Sequence, residues 1–203
     1  GDKALLVSTG YFGDRMAELL ERYGARIDKV TAELGDVPSL EEVERRLAGD
    51  SYKLMAVTHV DTSTGLACDV KALAQLASHY GVLSVVDGVC ATAGEEMRQE
   101  EWGVDVYYTA SQKAMGTPPG LALLVASQRA MEVFAQRTTP VGSYYSDFSK
   151  WLPVMQAYEE RRPAYFGTPA VNLICALHES LRRILAEGME ARFRRHRIIG
   201  QAF

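Results

Sequence analysis

Apolar and polar positions along the chain switch repeatedly between two periods. Short apolar runs predict buried strands at Ala4–Ser8, Leu54–Thr58, Val82–Val86, Val104–Thr109 and Leu121–Ala126, and Arg26–Thr31 reads as a further strand. Between them the spacing becomes helical. Met16, Leu19, Leu20 and Tyr23 share one face of a helix over Gly13–Tyr23. Ser39 with Glu42 predicts a capping box at the next helix. Asp69 caps an amphipathic helix over Val70–Tyr80, which Gly81 ends. A helix near Gln128–Gln136 follows the last strand. Thr138–Lys150 is polar and reads as an exposed loop. From Pro169 a long helical pattern runs through Leu173, Leu177, Leu181 and Ile184. Gly188 interrupts it, and a basic helix continues with Arg192, Arg194, Arg195 and Arg197 on a solvated face.

Strands that alternate with helices argue for an α/β layer fold with a mostly parallel central sheet flanked by helices. Right-handed crossovers bring the C-terminal ends of parallel strands to one edge, where ligands bind. Asp87 and the loop His59–Thr64 follow strands directly, so both belong to that edge.

Composition narrows the function classes. The 203 residues carry a net charge of −4 without a basic block, which points away from nucleic acid. No apolar stretch approaches the roughly 20 residues that span a bilayer. Cys68, Cys90 and Cys175 are odd in number, lack metal spacing and sit among small or apolar residues, so they read as free buried thiols. His59 and Asp61 are too few to make a metal site. Both termini look cut through structure, as in part of a longer chain.

The chemistry concentrates at Asp87, which ends an apolar run, and Lys113, which follows the next strand. An acid and an amine at neighbouring strand ends suit pyridoxal phosphate: the amine carries the cofactor as a Schiff base and the acid keeps its pyridinium nitrogen protonated. Burial at the strand mouth would tune such a lysine. Each residue also has a plainer reading, a surface lysine and a turn-capping aspartate. Thr58–Gly65 reads either as a self-satisfied turn or as a ligand-lining loop. Phe12 stands between Gly10 and Gly13, which free the backbone to turn and the ring to stack on a flat ligand. At Tyr165–Pro169, Thr168 reads as an N-cap with Pro169 at the first helical position. The exposed N–H groups of such a start also suit a phosphate.

Five segments in order resemble the class V aminotransferases of pyridoxal phosphate fold type I, most closely the alanine–glyoxylate and serine–pyruvate group. They are Thr9-Gly10-Tyr11-Phe12-Gly13-Asp14-Arg15, His59–Gly65, Val86-Asp87-Gly88-Val89, Ser111-Gln112-Lys113-Ala114 with Pro118-Pro119-Gly120, and Tyr165-Phe166-Gly167-Thr168-Pro169. The resemblance implies a three-layer large domain and assigns roles. Lys113 binds the cofactor and shuttles a proton, Asp87 bonds the pyridine nitrogen, and Phe12 and Val89 face the two sides of the ring. Thr62 bonds the phenolic oxygen and Gln112 the phosphate. Tyr165 and Thr168 reach the phosphate of a neighbouring subunit's cofactor, which implies a homodimer with shared active sites. The substrates implied are small amino acids and 2-oxo acids.

The same resemblance implies that residues 1–170 form most of the large cofactor-binding domain, lacking an N-terminal segment. Residues 171–203 form a helix leading toward an absent C-terminal small domain that holds the substrate-carboxylate arginine. Transamination from alanine or serine to glyoxylate is the activity implied. Lyases and desulfurases share the fold type, as does a catalytically incomplete fragment. A desulfurase needs a reactive cysteine on a mobile loop, and Cys68 and Cys90 look too embedded for that.

Overall fold

The computed structural model describes residues 1–203. Strands β1 (Lys3–Ser8), β2 (Arg26–Thr31), β3 (Leu54–Thr58), β4 (Leu83–Asp87), β5 (Val106–Ala110) and β6 (Ala122–Ala126) form one sheet in the order β2-β1-β3-β4-β5-β6. Every pairing from β2 to β5 is parallel, and β6 closes the edge antiparallel to β5. The antiparallel strand needs no helical crossover, and a loop joins it to β5.

Side chains alternate across the sheet and build two cores. Leu5, Val7, Met55, Val57 and Val86 face helices α2 (Leu40–Gly49) and α3 (Val70–His79). Leu6 and Ala56 face Met16 and Ala17 of α1 (Tyr11–Arg22) on the opposite side. Parallel strands covered on both faces read as unbroken apolar runs, which is why β1 and β3 were clear in the sequence. The result is the expected three-layer arrangement.

Capping differs in detail from expectation. Ser39 accepts the Glu42 N–H, but the Glu42 carboxylate turns to Arg45 and Arg46 and leaves half of the box unmade. Asp69 caps α3 through the Ala72 N–H at 2.9 Å. After the short α4 (Gln99–Trp102) and α5 (Gln128–Ala135), the presumed loop ends early. Asp147 caps a helix α6 (Phe148–Glu159) that carries Pro153 inside it. The chain finishes with α7 (Val171–Glu187) and α8 (Met189–Gln201), divided at Gly188, whose φ of 85° lies in the left-handed region. Ala170, and not Thr168, stands at the N-cap of α7. No helix is long and apolar enough to cross a membrane.

Candidate active site

The chain leaves β1, β3, β4 and β5 at one sheet edge, and the four loops there surround a cleft of about 400 Å³. That volume is at the scale of small-molecule sites. Phe12, Thr62, Asp87, Val89, Gln112 and Lys113 all line it. Six of the eight residues singled out in the sequence are therefore brought together. Tyr165 and Thr168 lie elsewhere: their hydroxyls are 3.0 Å apart on an exposed turn before α7.

Phe12 does not lie on a turn ahead of the helix, the place expected from the flanking glycines. It sits in the first turn of α1, a turn whose N-cap, Gly10, has no side chain to offer. The β3 loop supplies the missing acceptors. Asp61 Oδ2 accepts the N–H groups of Phe12 and Gly13 at 3.0 and 3.2 Å, and Ser63 Oγ accepts that of Tyr11 at 2.9 Å. Asp61 is fully buried and is further braced by the Ser63 N–H and hydroxyl. The free donors of a helix start are thus satisfied from another loop. A Cβ at Gly10 would lie 2.4 Å from Ser63 Oγ and 2.8 Å from the Asp61 carboxylate, so only glycine permits this approach. The two readings of the Thr58–Gly65 loop divide by residue: Asp61 and Ser63 build structure, while Thr62 lines the cleft.

Asp87 ends β4 half-buried, with Oδ1 accepting the Val89 N–H at 2.9 Å. It has the turn-capping role as well as a place in the cleft. Burial pushes its carboxyl above the ordinary aspartate range, partly offset by the Val89 N–H and the Tyr108 hydroxyl. No lysine, arginine or histidine of the chain pairs with it. A cation placed against Asp87 would relieve that burial cost. Gly88 follows because a Cβ there would lie 2.0 Å from the Tyr107 ring.

Lys113 lies on the turn after β5 and is exposed at the cleft, so the expected burial is not found. Its amine makes no hydrogen bond or ion pair within the chain. Arg15 also lines the cleft without a carboxylate partner, a placement that the helical spacing of α1 gave no reason to single out. Two uncommitted cations beside one half-buried acid suit an anionic ligand with a cationic ring atom. Phe12 and Val89 add apolar surface for a flat ring. These residues fit pyridoxal phosphate.

The cysteines depart from expectation. Cys68 is buried, but Cys175 is exposed and Cys90 lines the cleft, 2.6 Å from Thr62 Oγ1. The solvated basic face also needs correction at one residue. The Arg192 side chain is only 13% exposed and turns inward, whereas Arg194, Arg195 and Arg197 remain exposed.

The class V aminotransferase family model matches residues 1–202. The chain belongs to the class V aminotransferases. It is 41% identical over 98% of its length to alanine–glyoxylate aminotransferase 1 of Saccharomyces cerevisiae, covering 53% of that protein. The crystal structure of an alanine–glyoxylate aminotransferase from Nostoc sp. superposes with a TM-score of 0.88 at 35% identity, over 97% of this chain and 51% of that one. A ureidoglycine–glyoxylate aminotransferase from Bacillus subtilis gives a TM-score of 0.87 at 32% identity, over 97% and 50%. The chain thus spans about half the length of the relatives it matches.

Proposed function

We propose that the full-length protein is a pyridoxal phosphate-dependent aminotransferase that moves an amino group from alanine or serine to glyoxylate. The observation that carries this reading is the convergence of Asp87, Lys113, Phe12 and Val89 on one cleft at the carboxyl edge of the sheet. When bound, pyridoxal phosphate supplies an aldehyde that condenses with amines and a ring that accepts electrons from a substrate carbanion.

The chain's own residues do the rest. The half-buried Asp87 carboxylate would hold a proton on the ring nitrogen, and that charge-assisted pair would offset the cost of its own burial. Phe12 and Val89 would pack against the two faces of the ring. Thr62 Oγ1, 2.6 Å from Cys90 Sγ, would bond the phenolic oxygen. Gln112 meets the phosphate. Lys113 Nζ would hold the cofactor and, when free of it, would serve as the general base and acid for the substrate Cα proton. Tyr165 and Thr168, exposed and outside their own cleft, serve the phosphate of the partner subunit in a homodimer.

A desulfurase reading gains Cys90 at the cleft, but that cysteine is not carried on a mobile arm. Cys90 sits on a tight turn closed by Ala91 N–H and Thr92 N–H to the Gly88 carbonyl, at 3.1 and 2.8 Å. Transamination therefore leads. The purified full-length enzyme given alanine and glyoxylate should form pyruvate and glycine in equal amounts. Release of ammonia, or of sulfide from cysteine, would displace the proposal.

A further inference from the structure

Asp87 ends β4, paired with Tyr108 of β5, whereas Lys113 stands on the turn beyond β5, so the place of Lys113 relative to Asp87 depends on two loops that run past the sheet pairing. One is the turn from Asp87 to Gly94. The other is the turn from Ser111 to Thr117. A third element reaches both. Arg192 of α8 donates Nε to the carbonyl of Ala93 at 2.7 Å and Nη2 to the carbonyl of Ala114, the residue after Lys113. These contacts bridge 99 and 78 positions of sequence. Its remaining nitrogen, Nη1, meets Glu187 at 2.8 Å, and Glu187 is braced by Arg195 at 2.6 Å.

Three further observations converge on the same place. Ser180 of α7 donates its hydroxyl to the carbonyl of Met115. Ala93, Met115 and Ile184 form a small buried cluster of their own, joining the two loops to α7. Ala93 is also one of two non-glycine residues with positive φ, at 66°, a conformation held only when its surroundings impose it.

We propose that Arg192 is a positioning residue for the reaction: one planar guanidinium, bonded to both loop carbonyls, sets the distance between the Asp87 turn and the Lys113 turn. The inference rests on the aminotransferase reading. A guanidinium suits the task because its donors are fixed in a plane, whereas a lysine ammonium is a single point on a flexible stem. Lysine at 192 keeps the charge facing Glu187 but cannot span both carbonyls.

The test uses the full-length holoenzyme with Arg192→Ala, Arg192→Lys and, as a control on the same helix, Arg194→Ala, an exposed residue without a partner. In both Arg192 variants kcat should fall at least tenfold while KM for the amino donor stays within about twofold. Arg194→Ala should match wild type. Amide hydrogen exchange on the cofactor-free protein gives a readout apart from activity: Val89–Gly94 and Gln112–Thr117 should both lose protection in Arg192→Lys, and β3 should not. Full kcat in either Arg192 variant, rescue by lysine, or unchanged protection in either loop would overturn the proposal. If Arg192→Ala does not fold, the lysine variant alone decides. A wild-type chain that takes up no pyridoxal phosphate would fail the underlying reading instead, and so separates the two.

Discussion

At the scale of single residues, the cleft depends on a few groups that never touch a ligand. Asp61 is the clearest. One buried carboxylate collects two N–H groups of α1 and two donors of Ser63. Asp61→Ala leaves those donors without a partner, which should cost roughly 3 kcal/mol. Urea unfolding would measure the loss, and a midpoint within error of wild type would refute the capping role. Gly88→Ala drives a methyl into Tyr107 and should cost roughly 1–3 kcal/mol, read by the same titration. His59 gives a pH prediction. Burial pushes its imidazole down to about 4 from an ordinary 6.5, so the fold keeps it neutral. Between those values the unfolded chain binds a proton that the folded chain refuses. The stability from neutral His59 is fully present above pH 6.5 and is lost as pH falls toward 4. At pH 5 the loss should be about 2 kcal/mol. His59→Asn should remove that part of the difference between unfolding at pH 7 and at pH 5. An equal pH dependence in both proteins would contradict it.

At the scale of elements, legibility followed burial and periodicity. The strands β2 and β3 agree residue for residue with expectation, and α3 was marked by its own cap. Asp87 and Lys113 were visible because they sit at or just past strand ends, where the chain must leave the sheet, and Phe12 because it follows β1 between two glycines. The misses have physical causes. Helix α6 buries only Val154 and Ala157 and carries Pro153, so neither an apolar stripe nor an uninterrupted run announced it. The start of α1 was placed too late because its cap comes from Asp61, 49 positions from Phe12, rather than from a neighbour. Arg192 looked like one of four similar arginines. Spacing along α8 could not say which of them meets two loop carbonyls from distant sequence. Thr168 had every local mark of an N-cap, yet its hydroxyl pairs with Tyr165. An α1 start held from outside makes a prediction of its own. Asp61→Asn should speed amide exchange at Phe12 and Gly13 while α3, capped by its own Asp69, is unaffected. Equal exchange in the two proteins would mean that the helix start does not depend on the buried charge.

At the scale of the molecule, a cleft with six expected residues and an exposed Tyr165–Thr168 pair makes sense if two subunits complete each other's sites. Mixing subunits tests that directly. Lys113→Ala and a Tyr165→Phe/Thr168→Ala double variant should each be impaired alone. A mixed dimer regains one intact site, because the unaltered Lys113 of one subunit meets the unaltered pair of the other. No recovery after mixing would mean that the sites are not shared. The central claim is narrower and precedes assembly: Lys113 is the residue that carries the cofactor. The full-length protein, loaded with pyridoxal phosphate and reduced with borohydride, should yield one phosphopyridoxyl adduct on the peptide containing Lys113 and none in Lys113→Ala. An adduct on a different lysine, such as Lys150 or Lys53, or no adduct at all, would contradict the account.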